Sequence, residues 1–335
     1  MKGPTLRILV LGAGGMIGRK LCARLAADGA IAGGRIDEAR LVDLDAPVPP
    51  VDSPFATICA AVDLAAEPAA GELIDARPDV VFHLAAVVSG EAESDFDKGY
   101  AVNLDATRRL FEAIRRERDR SGGDYRPRLI YASSIAVFGA PCPATIDDDF
   151  LAAPLTSYGA QKAIVELLIA DYSRRGIFDG VALRLPTVVV RPGPPNRAAS
   201  GFFSSIIREP LAGREAILPA PEETRLWCAS PRAAAGFFVR AAAVDFDRLG
   251  PRRSLTMPGV SVTVAEEIEA LRRVGGEAAV RLIRRQADES IANIVAGWPG
   301  RFDARRACAF GFVAESSFDE IVRVHLEDDH VAAVA

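Results

Sequence analysis

The first informative stretch of the chain is Leu6 to Leu11, apolar at every position except Arg7. Such a run is what a strand buried on both faces requires. A glycine cluster follows, and Met16 to Ala27 then places Ile17, Leu21 and Leu25 on one helical face. Short apolar strands are predicted at Arg40 to Leu44, Ala56 to Ala60, Val80 to Leu84, Arg128 to Tyr131 and Val181 to Leu185. Between them lie predicted helices around 69–76, 97–118 and Tyr158 to Arg174. Strands alternating with helices predict an α/β protein with a doubly wound parallel sheet covered on both faces. The pattern changes after about Val190, where Arg191-Pro192-Gly193-Pro194-Pro195 breaks the chain. Beyond it, helices are expected near 201–208, 232–243, 264–273 and 317–326. Residues 1–190 are thus expected to form one domain. Residues 191–335 are expected to form a smaller C-terminal substrate-binding lobe, with some segments returning to the first core.

Composition narrows the functional classes. The chain has 335 residues, is 50% hydrophobic and carries a formal net charge of −5. It shows no basic block, which argues against nucleic acid and against an anionic membrane surface. No apolar run reaches the roughly 18 residues of a membrane span. The five cysteines, at 22, 59, 142, 228 and 308, contain no CxxC pair, and there are only three histidines. A metal site is therefore not expected, and a reduced, cytoplasmic setting is.

The glycine cluster carries the first chemistry. Gly12, Gly15 and Gly18 form a GxxGxxG pattern, with Met16 and Ile17 opening the helix. Without a Cβ the backbone can turn sharply and let a pyrophosphate approach, while the helix start offers free N–H groups and a positive dipole end. The strand before and the helix after make this a dinucleotide signature. Asp43 ends the second predicted strand, 25 residues past Gly18. A carboxylate there accepts both ribose hydroxyls of NAD and repels the phosphate of NADP. The spacing is long, and Ile31 to Glu38 reads as an inserted loop. Asp63-Leu64, after the third strand, suits the adenine, although a plain loop aspartate reads the same way. Leu84-Ala85-Ala86 would leave room for the cofactor, and His83, inside a buried strand, reads as structural.

The second chemistry is Ser133-Ser134 at the end of the fifth strand, with Tyr158 and Lys162 opening a helix. Four residues apart, Tyr158 and Lys162 share a helix face. A free tyrosine, with a pKa near 10, is a poor base at neutral pH, and a neighbouring ammonium favours its phenolate. A serine hydroxyl can hold a substrate oxygen while the phenolate takes its proton.

With these residues in place the chain resembles the extended short-chain dehydrogenase/reductase superfamily, which includes nucleotide-sugar epimerases and dehydratases. The likeness rests on Gly12-x-x-Gly15-x-x-Gly18, Asp63-Leu64, His83-Leu84-Ala85-Ala86, Asn103 with Thr107, Ser133-Ser134-x-x-Val137-Phe138-Gly139 and Tyr158-x-x-x-Lys162. It implies a Rossmann-type fold and NAD as cofactor. It also implies Ser134, Tyr158 and Lys162 as a catalytic trio, with Asn103 supporting the site and Pro186, Thr187 and Val188 lining the nicotinamide amide. The helices near 97–118 and 158–174 would form a homodimer interface by the same resemblance.

A narrower likeness covers nearly the whole chain. It runs through His83 to Glu91, Arg184 to Gly193, Arg225-Leu226-Trp227, Ser230-Pro231-Arg232 and Trp298 to Asp303. It is to a branch of the superfamily that oxidises four-carbon sugar acids such as D-erythronate at C2, giving the 2-oxo acid and NADH. Arg184-Leu185-Pro186-Thr187 stands where epimerases carry arginine-tyrosine-phenylalanine-asparagine, and that asparagine normally helps hold the sugar diphosphate. A sugar acid needs a cation for its carboxylate and polar groups for its hydroxyls. Arg225, Arg191 and Arg232 are the candidate cations, though each reads equally as a surface ion-pair member. Ser89, Glu91, Ser133 and Thr187 are the polar candidates, and Trp227 reads as a buried aromatic between lobes. Two alternatives remain: an NAD-dependent nucleotide-sugar epimerase or dehydratase, and a non-catalytic dinucleotide sensor.

Overall fold

The structure is a computed structural model that describes residues 4–139, 141–193 and 200–328. Pro194 and Pro195 of the breaker cluster lie outside the described residues. The chain divides into two units. The first comprises residues up to Val137, Thr156–Arg184 and Ala235–Leu255, and the second comprises Phe138–Leu155, Leu185–Ala234 and the chain from Thr256 on. Beside the crossing expected near 190, the chain therefore also changes unit around 138–155 and 235–255.

The first unit is built on β1 (Thr5–Leu11), β2 (Ala30–Ile31), β3 (Gly34–Asp43), β4 (Ala56–Ala61), β5 (Val80–His83), β6 (Arg128–Ser134) and β7 (Asp179–Leu185). Its helices include α1 (Met16–Asp28), α2 (Ala69–Asp75), α3 (Ser89–Ser94), α4 (Phe96–Tyr100), α5 (Thr107–Arg120) and α6 (Ser157–Arg174). From one edge the sheet runs Ser254–Thr256, β7, β6, β5, β1, β3, with β4 and β2 also bound to β3. β1 pairs in parallel with β3 on one side and with β5 on the other. Strand order therefore reverses at β1 and β5, and in such sheets ligands bind beyond the carboxyl ends at that reversal. The strands are apolar on both faces because helices cover both: Leu9, Leu11, Val81 and Leu129 pack with Phe111, Ile114 and Ile169 on one face, and on the other Phe82 of β5 meets Phe238 of the helix Pro231–Ala243, ring centroids 6.3 Å apart.

One sequence expectation is corrected. Ile31 to Glu38 is not an inserted loop. Ala30–Ile31 pairs antiparallel with Gly34 and Arg35 across a tight turn in which Ala32 and Gly33 have φ of 52° and 79°. β3 thus begins six residues earlier than expected, with Gly34, Ile36 and Ala39 buried between exposed positions. The helix expected over 97–118 is present and runs unbroken from Phe96 to Arg120, with Ala101–Ala106 between α4 and α5 widened into a π turn. Such wide turns recur where a side chain must leave the regular ladder for a functional contact, and Asn103 lies inside it.

In the second unit, Val260–Thr263, Arg225–Ala229 and Thr187–Val188 form a three-stranded sheet, and Ile283–Arg285 pairs with Ala216–Leu218. Its helices include Gly201–Leu211, Val264–Val280 and Phe318–Asp328. The helix from Val264 opens with a capping box between Thr263 and Glu266, which satisfies two otherwise orphaned N–H groups. Phe203, Ile206, Leu226, Val262, Ile268, Leu271 and Ile321 form the core of this unit. None of the helices described is long and apolar enough to cross a membrane.

Candidate active site

The glycine loop is shaped as a cradle. Gly12 has a φ of 85°, and a Cβ on it would lie 2.6 Å from the Ala85 backbone nitrogen. The first glycine is therefore needed for both its left-handed turn and its approach to the segment after β5. A Cβ on Gly18 would overlap the carbonyl oxygen of Gly12, so helix and loop pack backbone to backbone. Gly15 caps α1 without any side-chain bond, leaving first-turn N–H groups for a ligand. Asp43 stands at the end of β3 and accepts hydrogen bonds from Gly14 N–H and Leu44 N–H, both at 2.8 Å. Its two oxygens are thereby aimed at the rim of the cradle with further lone pairs to spare. Asp63 is exposed, and one of its oxygens accepts the Ala65 N–H at 2.8 Å. Arg109 donates to the Ala65 carbonyl at 2.9 Å and ties the same loop to α5. These residues fit an adenine dinucleotide: a Cβ-free anion cradle, a ribose-accepting carboxylate and half-buried Leu64, Leu84, Ala85 and Ala86.

Asn103 is buried and fully engaged. Its Oδ1 accepts the Val87 N–H at 2.9 Å, and its Nδ2 donates to the Val87 carbonyl at 3.2 Å and to Gln161 Oε1 at 2.7 Å. It clamps the segment after β5 to the helix that carries Tyr158 and Lys162, and does so with every polar atom it has.

Tyr158, half buried, lies in the first turn of α6, whose start is capped by Thr156. Glu93 of α3 adds a second cap by accepting the Ser157 N–H at 2.9 Å. One turn on, Lys162 is 1% exposed. Its Nζ donates to the Ala132 carbonyl at 2.8 Å and stands 5.4 Å from the centre of the Tyr158 ring. Burial pulls the Lys162 pKa down to about 7, and the Glu166 carboxylate opposes that pull. Glu166 lies one further turn along α6 and is held by Arg184 through contacts of 2.7–3.1 Å.

The two serines point apart, as neighbours on a strand must. Ser133 donates to Glu166 Oε1 at 2.6 Å and is buried, which gives it a structural task in place of the substrate contact expected for it. Ser134 is half buried and accepts the Ala136 N–H at 3.1 Å, leaving its own proton to donate. His83 is buried, and its Nε2 lies 2.9 Å from Thr107 Oγ1. Burial, then Lys162, push its pKa down to about 3, so it is neutral.

In the second unit, Thr187 and Val188 pair with Cys228 and Ala229, and Pro186 and Val188 are buried while Thr187 is half exposed. Arg191 donates to the Val188 carbonyl and to Ser200, both at 2.8 Å, which makes it a brace for its own loop. Arg232 pairs with Asp328 and Glu327. Arg225 is held more loosely, 3.3 Å from Ser261 Oγ and 3.6 Å from Glu266. Trp227 is buried within this unit against Phe302, with Nε1 donating to the Met257 carbonyl at 3.2 Å. In the first unit, Ser89 starts α3, and Glu91 pairs with Lys98. Sequence reasoning missed Glu166, Gln161, Glu93 and Tyr131. The repeat of four from Tyr158 through Lys162 to Glu166 was the readable signal for the first; nothing local marks the others.

A parallel sheet with a glycine cradle at one strand end, a serine at the end of another, and a tyrosine and lysine one turn apart on the helix α6, defines a nicotinamide-dependent enzyme of the short-chain type. The pattern of the NAD dependent epimerase/dehydratase family matches residues 8–238, and the chain belongs to that family with NAD as its cofactor. It is 44% identical to a D-erythronate dehydrogenase of Cupriavidus necator, over 98% of this chain and 100% of that protein. A D-erythronate dehydrogenase of Haemophilus influenzae is 40% identical over 97% of this chain and 100% of its own length. Among solved structures, a nucleoside-diphosphate-sugar epimerase from Agrobacterium tumefaciens superposes with a TM-score of 0.95. It is 55% identical and is covered to 96%, against 98% of this chain.

Proposed function

We propose that the chain is an NAD-dependent dehydrogenase that oxidises D-erythronate at C2 to the 2-oxo acid, with formation of NADH. The observation that carries the reading is Lys162 Nζ, buried and 5.4 Å from the Tyr158 ring. NAD, held by the glycine loop, Asp43 and the Leu84–Ala86 segment, supplies the hydride acceptor. Ser134 donates to the substrate hydroxyl oxygen. Tyr158, as phenolate, takes the hydroxyl proton while the C2–H bond is lost, and the carbonyl forms. Lys162, while charged, favours that phenolate. Ser89, at the start of α3 in the same unit, is the polar partner proposed for the substrate's other hydroxyls; in the second unit Arg225 is the least committed of the three candidate arginines and so the candidate cation for a carboxylate. The substrate itself is supported by the two full-length relatives that carry that activity in their names. The enzyme is read as cytoplasmic and homodimeric, with exposed Leu167 on α6 and Phe96 on α4 available to a second copy.

The epimerase name of the Agrobacterium tumefaciens structure favours a second reading, nucleotide-sugar epimerisation. Thr187, in place of the asparagine that grips a sugar diphosphate, weighs against it. A panel of aldonic acids and UDP-sugars with NAD decides between them. NADH absorbance rising with D-erythronate, and absent in Tyr158→Phe, is the expected result. Flat absorbance with every sugar acid, and epimerisation of a UDP-sugar, would establish the second reading.

A further inference from the structure

Lys162 is enclosed by two aromatic faces. Its Nζ lies 4.5 Å from the centre of the Tyr131 ring, closer than the 5.4 Å to Tyr158. Tyr131 lies near the end of β6, is 1% exposed and has a hydroxyl with no hydrogen-bond partner among the described residues. The ring is anchored edge-on by His83 of the adjacent strand, centroids 5.3 Å apart at 80°, at the position directly across the β5–β6 ladder. Its face is thereby directed at the ammonium.

We propose that Tyr131 is a positioning residue whose ring face holds Lys162 in its charged form. The inference rests on the dehydrogenase reading above and deepens it. An aromatic face within about 6 Å of an ammonium attracts it, and more strongly where water is excluded. The groups around Lys162 show why this help is needed. On α6, the Glu166 carboxylate favours the charged form, but it is shared with Arg184 of β7 and Ser133 of β6. On β5, His83 is neutral and bonded to Thr107 of α5. The Ala132 carbonyl supplies one acceptor. The remaining side of the ammonium shown by the structure is aromatic. Without Tyr131's face, Lys162 sheds its proton more readily, and the Tyr158 phenolate loses the charge that favours it.

The test compares Tyr131→Phe, Tyr131→Leu and pentafluorophenylalanine at position 131, which keeps the ring shape but reverses the charge of its face. Ionisation of Tyr158 is followed by ultraviolet difference absorbance against pH, with the corresponding Tyr158→Phe protein as blank. Burial keeps the phenol of Tyr131 itself far above the range scanned. Tyr131→Phe is expected to titrate like the parent. The leucine and fluorinated proteins are expected to need about one pH unit more, about a tenfold loss of phenolate at fixed pH. Turnover falls in parallel, with KM for NAD unchanged. An unshifted titration in the folded fluorinated protein overturns the proposal, even if the leucine variant fails to fold. Full turnover in Tyr158→Phe would instead overturn the reading beneath it.

Discussion

Replacing Lys162 by methionine should make the folded protein more stable while ending its activity. An ammonium that is 1% exposed is a cost to the fold, visible as a pKa pulled from 10.5 to about 7. At 1.36 kcal/mol per pH unit that gap is worth at most about 5 kcal/mol. Against this, methionine loses the bond to the Ala132 carbonyl, about 1 kcal/mol, and the ring contacts already offset about 0.5–2 kcal/mol of the burial cost. A net gain of about 1–3 kcal/mol is expected at pH 6. The sign with pH follows from linkage: the folded pKa lies below the unfolded one, so the penalty is complete below about 7 and fades as pH rises toward 10.5. Urea unfolding of both proteins at pH 6, 7.5 and 9, followed by circular dichroism with slopes checked for equality, measures it. Turnover should fall at least about a hundredfold in the same preparation. A Lys162→Met protein less stable than its parent at pH 6, or a gain that grows with pH, would refute the account of a buried, strained ammonium.

Three further outcomes are expected. Glu166→Gln leaves the half-buried Arg184 without its carboxylate and should cost about 3–5 kcal/mol in urea unfolding, most of it recovered in the double variant with Arg184→Met; a loss under about 1 kcal/mol would mean the pair is effectively solvated. Asp43→Ala removes the ribose acceptor at the cradle rim and should raise the Kd for NAD, read by calorimetry, at least about tenfold. Unchanged affinity would remove Asp43 from the cofactor site. Gly18→Ala forces α1 away from the loop backbone and should weaken NAD binding by a similar factor with a stability loss of about 1–3 kcal/mol, whereas wild-type values on both counts would show that the helix can shift freely.

What could be read from the chain was local or periodic. Buried parallel strands are apolar without interruption, so β1 and β5 stood out, and a glycine turn between strand and helix marks its own ligand because only a residue without Cβ fits there. Tyr158 and Lys162 were legible because one helical turn separates them. Other features depended on which strands and helices become neighbours. Asn103 was visible as a residue, but its clamp on Val87 and Gln161 needs a π turn that no propensity announces. The hairpin at Ala32-Gly33 hid the true start of β3, since an alanine at positive φ carries no turn signal. Ser133 and Ser134 are alike in sequence and differ only in the face of the strand each occupies. The ring of Tyr131 meets Lys162 across a sequence separation of 31 residues, a contact that exists only once β6 and α6 pack together. The sequence alone thus determined the fold class and the candidate reacting groups, because helix and strand periods encode them within a few residues. Tertiary structure decided how those groups are charged and braced, because burial and cross-element contacts belong to neighbours distant along the chain.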